Sequence, residues 1–345
     1  MTASLMKQSL RHPAIRIVGS VLILLLLLPF VHFHKLVVAL RSIPLMLWIS
    51  LLFGYLATHV IGVMKWRLTL RLSQARLTFA QAARCYFAGL FGTLFLPSIV
   101  GGDVVRMGLA FRTERNKAAI LLGSLVDRVL DIISLCVVAG IGALLLPGAL
   151  DARSRRVFSV LAIACMLGTA GFFALLAIVP WRKLPFKIRR LFARLRRAGR
   201  SMASQPPYVL VSLSLGIIVQ TNFVALSASI AHACGLNISF QIWLLVWPLA
   251  KLFALVPVTL GGIGIREAGL AALLAPFGAP AALAVAAGLS WESIIIAGGL
   301  VAGLVSFLIG GSNFALSTLT LDKSRPLHED LTLPPAKMSS MDAER

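Results

Sequence analysis

Pro97-Ser98-Ile99-Val100-Gly101-Gly102-Asp103-Val104-Val105-Arg106 and Pro257-Val258-Thr259-Leu260-Gly261-Gly262-Ile263-Gly264-Ile265-Arg266 share one pattern, P-x-x-x-G-G-x-x-x-R, offset by 160 residues. Composition alone would produce it on the order of a hundredth of a time in a chain of this length. Both copies sit inside apolar sequence. Helix-breaking residues followed by an arginine at membrane depth mark a place where lipid-soluble sequence gives way to polar chemistry. Their duplication points to one site built from two related halves.

The surrounding chain sets the solvent. Of 345 residues, 59% are hydrophobic, and the mean hydropathy is +0.92. A soluble domain of this length would not be so apolar. Near-continuous apolar runs reach spanning length at 17–33, 45–64, 118–146, 157–180, 208–231 and 281–310, which predicts an all-α polytopic membrane protein. No period-two alternation points to a barrel. Lys7, Arg11 and Arg16 precede the first run without a small-residue cleavage site after it, so that run reads as a retained helix.

The net charge of +21 would suggest nucleic acid in a soluble protein. Here the cations cluster between apolar runs, as the positive-inside rule produces, and no separate basic domain exists. Nucleic acid is therefore excluded as a partner. Residues 1–16, 65–84 (with Lys65, Arg67, Arg71, Arg76 and Arg84) and 181–200 are the most basic loops. They place both termini in the cytoplasm of a multi-pass protein of the cell's inner membrane. The tail from residue 312 is polar and expected to be disordered. Cys85, Cys136, Cys165 and Cys234 are scattered and form no metal or disulfide pattern.

The two patterned segments are too short to cross. Cys85–Pro97 is 13 residues, about 20 Å as helix against a hydrocarbon core of about 30 Å. Each copy therefore predicts a re-entrant hairpin with its reversal at Gly101-Gly102 or Gly261-Gly262. An odd number of spans separates them, so they enter from opposite faces. The prediction is six spanning helices plus two re-entrant hairpins in an inverted-topology repeat, with halves at 45–146 and 208–310. Eight full crossings are the alternative and would need very short helices.

In this reading each second half-helix starts at mid-depth with free N–H groups, an anion site. Arg106 and Arg266, with Glu267 beside the latter, would lie about one turn in, able to fork onto a phosphate or carboxylate. The bland alternative is a packing kink with snorkelling arginines. Asp103, Asp127, Arg128, Asp131, Lys251 and Glu292 are further charges at membrane depth. Each would cost about 2.5–3.5 kcal/mol at the bilayer centre if unpaired. Together these are four cations and five anions, which predicts an enclosed polar cavity with mutual pairing. Asp127 and Asp131 share a helix face, and could either brace helices or carry coupling protons. His59 and His232 read as hydrogen-bonded or interfacial residues rather than catalysts. Gly299 and Gly303 form a weak packing motif. No P-loop, H-E-x-x-H or G-x-S-x-G motif occurs, and no metal or cofactor is implied.

The stretch Phe95–Arg106, followed by Asp127-Arg128, and the stretch Val256–Glu267 resemble the lysylphosphatidylglycerol synthase transmembrane-region family. The likeness covers nearly the whole membrane part. It implies a flippase-like lipid transporter rather than an enzyme. The catalytic transferase of bifunctional relatives would follow the last helix, where this sequence offers only a short polar tail. Relatives tend to have an arginine in the last helix where this chain has Trp291-Glu292. The resemblance leaves phospholipids, hopanoids and polyprenyl-linked sugars open as cargo. The expected ligand is a membrane lipid with an anionic headgroup, held by Arg106, Arg266 and the paired glycines. Asp127, Arg128 and Glu267 would complete the lining, and Asp103, Asp131, Lys251 and Glu292 would form coupling or ion pairs. The alternatives are a non-transporting partner of a lipid-modifying enzyme or glycosyltransferase, and an integral-membrane enzyme using Asp127, Asp131 and Glu292.

Overall fold

The computed structural model describes residues 41–96, 99–114, 116–146, 156, 160, 204–253 and 264–310. Among them are eight α-helices and no strand. We number the helices α1 (Leu45–Leu72), α2 (Phe79–Gly92), α3 (Ile99–Thr113), α4 (Lys117–Leu144), α5 (Pro206–Ala233), α6 (Phe240–Phe253), α7 (Ile265–Leu274) and α8 (Ala281–Gly310). The expected spans 17–33 and 157–180, apart from residue 160, lie outside the described residues, as do residues 1–16 and the tail from 312.

Four helices are long: α1, α4 and α5 at 28 residues and α8 at 30. At 1.5 Å per residue each exceeds about 40 Å, enough to cross a bilayer. Of these, α1, α5 and α8 are also apolar enough to span on composition alone. α4 carries Asp127, Arg128 and Asp131 in its middle, which is why composition sets it apart. Outward faces are apolar: Met46, Phe53, Leu304 and Leu308 are exposed, as lipid-facing residues should be.

Local sequence explains the ends. Thr78 and Gln81 close a capping box on α2. Asn116 caps α4 by accepting from the Ala119 N–H at 3.2 Å. Pro206-Pro207 opens α5, where missing N–H groups cost nothing. α8 follows Gly278, which holds a left-handed φ of 76°.

Both patterned segments fold as pairs of short helices packed on each other, α2 with α3 and α6 with α7. They have 14, 15, 14 and 10 residues, at most about 23 Å each. The glycines act differently from expectation. α3 already begins at Ile99, so Gly101 and Gly102 lie in its first turn, and the chain reverses earlier, through Thr93–Leu96. What Gly102 provides is close approach. A Cβ there would sit 2.6 Å from the Gly89 carbonyl oxygen, and one on Gly89 would sit 2.7 Å from the Gly102 oxygen. The pair lets the α2 and α3 backbones touch. Pro97, Gly261 and Gly262 lie outside the described residues.

The two copies also differ in register. Arg106 is in the second turn of α3, whereas Arg266 is the second residue of α7. Before α7, Gly264 takes φ 88° and donates its N–H to the Glu267 carboxylate at 2.6 Å. One spacing thus serves two local geometries.

A second correction concerns α1. It was expected to end at residue 64, with Lys65 in a basic loop. It continues to Leu72, because nothing breaks the helix before Ser73 and Gln74, the latter at φ 73°. Lys65 is therefore inside the fold, 2% exposed.

Two apolar cores hold the helices together, and each draws on both halves. One gathers Val63, Trp66, Leu70, Phe87 and Ile120 around α1–α4, joined by Ala302. The other gathers Phe223, Trp243, Trp247, Leu270 and Trp291 around α5–α8, joined by Leu51, Tyr55 and Val138. The Gly299 and Gly303 motif faces α2: added Cβ atoms would meet Leu94 at 2.8 Å and Phe91 at 2.5 Å.

Candidate functional site

A cavity of about 500 Å³ lies among the helices, and all eight contribute to its wall. Arg106 and Arg266, one from each pattern copy, both line it. So do Lys65, Asp103, Arg128, Asp131, Lys251 and Glu292. The wall also includes exposed apolar residues: Phe95 at 65%, Leu300 at 52% and Ile296 at 44%.

The charges on the α1, α3 and α4 side form a closed ring of alternating sign. Lys65 Nζ reaches Asp127 at 2.8 Å and Asp131 at 2.7 Å. Asp127 meets Arg106 at 3.3 Å, and Arg106 meets Asp103 at 3.0 Å. Asp103 takes two hydrogen bonds from Arg128, at 2.5 and 2.6 Å, and Arg128 returns to Asp131 at 3.6 Å. Three cations and three carboxylates therefore compensate each other. The Arg106–Asp103 contact is an ion pair without hydrogen-bond alignment, so charge rather than direction holds it. The Arg106 guanidinium also lies 4.6 Å over the Trp66 ring, a cation–π contact that helps offset its burial.

On the other side Arg266 contacts two carboxylates, Glu267 at 3.1 Å and Glu292. Glu267 is fully buried, and its second oxygen takes the Gly264 N–H. Lys251 donates to Gln220 Oε1 at 2.9 Å and lies 4.7 Å over the Phe223 ring. Aromatic rings close this end: Tyr55 and Phe223 each approach Trp291, and Trp247 meets Trp291 edge to face at 5.3 Å.

Asp103, Asp127, Arg128 and Asp131 thus join Arg106 in one network, while Glu267 and Glu292 join Arg266. Asp127 and Asp131 share Lys65, as their common face predicts. Lys251 stands apart from both networks. With Lys65 added, the charges of these networks together with Lys251 are five cations and five anions among the described residues, not four and five. Lys65 was missed because a charge after an apolar run reads as a loop. Gln220, one of two amides with Asn222 inside the apolar 208–231 run, is a signal the sequence does carry. His59 approaches the Tyr86 hydroxyl at 3.4 Å and lines the cavity.

The family model for the lysylphosphatidylglycerol synthase transmembrane region matches residues 14–311. The chain belongs to that family. A relative of the same family is a UPF0104 membrane protein of Methanothermobacter thermautotrophicus. It is 23% identical over 250 residues, which covers 64% of this chain and 70% of the relative. No solved structure gives a significant match. As a member of the family the chain is a membrane protein with transmembrane helices, and the family match is to a transmembrane region, without a catalytic domain.

Proposed function

We propose that the protein is a lipid translocator of the cell's inner membrane, moving a phosphate-bearing lipid between leaflets. The observation that carries this reading is the shape of the cavity's chemistry. Its wall has two parts: charged residues that include the buried arginines of both pattern copies, and the exposed apolar residues Phe95, Ile296 and Leu300. A polar headgroup can occupy the first while its acyl chains stay among apolar residues at the second. Carrying a charged headgroup through hydrocarbon unaided is costly. A polar cavity at that depth lowers the barrier.

In this reading six helices span, and the α2–α3 and α6–α7 pairs are re-entrant hairpins entering from opposite faces. Arg106 and Arg266 supply positive charge from the two halves. The carboxylates act as switching partners of the arginines, exchanging between them as the cavity changes the leaflet it faces. The ring across α1, α3 and α4 is the bistable element whose rearrangement exposes the cavity to one leaflet and then the other. Energy comes from an ion or lipid gradient, since no nucleotide motif exists in the sequence.

The test is reconstitution. Purified protein in vesicles is followed for transbilayer movement of phospholipids tagged on an acyl chain. Wild type accelerates movement, and Arg106→Ala and Arg266→Ala slow it. Variants as fast as wild type would sink the site assignment. Wild type that moves no lipid yet co-purifies with a lipid-modifying enzyme would replace transport by a partner role.

A further inference from the structure

The charges are not distributed evenly around the cavity. The six-membered ring is neutral in itself, and a phosphate approaching Arg106 would meet Asp103 and Asp127 as well. Two unbalanced poles remain. Arg266 faces two carboxylates, Glu267 and Glu292, which leaves one negative charge over. Lys251 has no carboxylate within ion-pair distance among the described residues; its partners are an amide oxygen and a ring.

We propose that the cavity takes a zwitterionic phospholipid headgroup, with its phosphate at Lys251 and Trp247 and its ammonium at Glu292. This rests on the lipid reading of the same cavity. Trp247 and Lys251 are four residues apart on α6 and share a face. The Lys251 ammonium has three N–H donors and spends one on Gln220. Trp247 is 3% exposed, lines the cavity, and keeps its indole N–H without an acceptor. A buried donor without a partner is costly unless something supplies one. A phosphate oxygen bound by Lys251 would supply it.

The opposite pole suits a cation. Glu292 lines the cavity, and the adjacent Trp291 offers an aromatic surface of the kind that attracts ammonium groups. One phosphate and one ammonium leave the filled cavity neutral. A headgroup with net negative charge would leave the surplus at Glu292 uncompensated in a desolvated site. A second ammonium group on the headgroup would find no surplus carboxylate left to take it.

The test uses the full chain with acyl-tagged phosphatidylethanolamine and phosphatidylglycerol carrying identical chains. Binding is read as lipid adducts in native mass spectrometry, and movement is read in vesicles of the same lipids. Wild type should prefer the zwitterionic lipid by about tenfold in binding. Lys251→Gln should lower that binding about tenfold and Lys251→Arg should restore most of it. Glu292→Gln should erase the preference. Trp247→Phe keeps an aromatic ring and loses the donor, so weaker binding of both lipids by a variant with unchanged thermal unfolding speaks for the phosphate subsite. Equal binding of the two lipids by wild type, binding untouched by Lys251→Gln, or a preference untouched by Glu292→Gln overturns the proposal. Preferential binding without movement defeats the transport reading and leaves the subsites standing. Movement without preference does the opposite. Soluble glycerophosphoethanolamine competing as well as the lipid would overturn the lipid as the source of the headgroup.

Discussion

Removing Lys65 should unfold the α1–α3–α4 side more than any surface charge would, and a second substitution should partly undo the damage. Lys65 contacts Asp127 at 2.8 Å and Asp131 at 2.7 Å, with 3% of its side chain exposed. At an effective dielectric of about 20, each contact is worth about 6 kcal/mol of gross attraction. Desolvation takes back several kcal/mol per ion, so the intact ring is only modestly stabilising. Breaking it is another matter. Lys65→Met leaves three carboxylates against Arg106 and Arg128, and should cost about 3–5 kcal/mol. Asp127→Asn leaves three cations against two carboxylates and should cost about the same. The double variant restores neutrality, so its loss should fall short of the sum by about 2–3 kcal/mol. Thermal unfolding in mild detergent, followed by the near-ultraviolet signal of the tryptophans, measures all four corners of the cycle. Trp66 packs on Arg106 and donates to Ser124 Oγ at 3.1 Å, so it reports on the ring itself. Single losses below about 1 kcal/mol, as for surface pairs, would refute the reasoning. So would singles that add to the double within about 0.5 kcal/mol.

Gly102→Val should push α2 and α3 apart and cost about 1–3 kcal/mol, whereas Gly108→Ala, with open space around the added Cβ, should be neutral or stabilising by up to about 1 kcal/mol; the same melts compare them. Trp66→Phe removes the donor to Ser124 and shrinks a fully buried ring, and should cost about 1–3 kcal/mol. Trp66→Leu also removes the ring under Arg106 and should cost about 1 kcal/mol more. Gly264→Ala places a side chain at φ 88°, a conformation that costs roughly 1–2 kcal/mol outside glycine, and should slow lipid movement by disturbing the Arg266–Glu267 pair that follows it.

Much of this fold was legible in the sequence because lipid makes hydropathy a strong signal. The four long helices fall where apolar runs predict them, and the second short pair lies between two of them, at Phe240–Phe253 and Ile265–Leu274. The first misreading came from Lys65-Trp66-Arg67. Charge density there suggested a loop, but helix continuity is decided by breakers, and none occurs before Ser73. The second came from Gly101-Gly102. Paired glycines permit reversal and permit close packing equally, and only the position of Gly89 across the gap selects the second. The charged residues were found one by one, because each is improbable at membrane depth. Their arrangement was not, because Lys65, Asp103 and Asp127 meet only through the packing of α1, α3 and α4. Pairing at such sequence separation leaves no periodic trace, which is why the isolation of Lys251 could not be read either.

The central claim is that the two pattern-bearing segments build one headgroup cavity. The most direct measurement is photocrosslinking, in vesicles, with a phospholipid carrying a photoreactive group on its headgroup, followed by mapping of the adducts by mass spectrometry. Adducts are expected on cavity-lining residues of both segments, among Thr93, Gly102, Asp103 and Arg106 and among Trp247, Lys251 and Arg266, and excess unlabelled lipid should suppress them. Adducts confined to one segment, or scattered over lipid-facing residues such as Phe53 and Leu304 and unaffected by competitor, would contradict the claim.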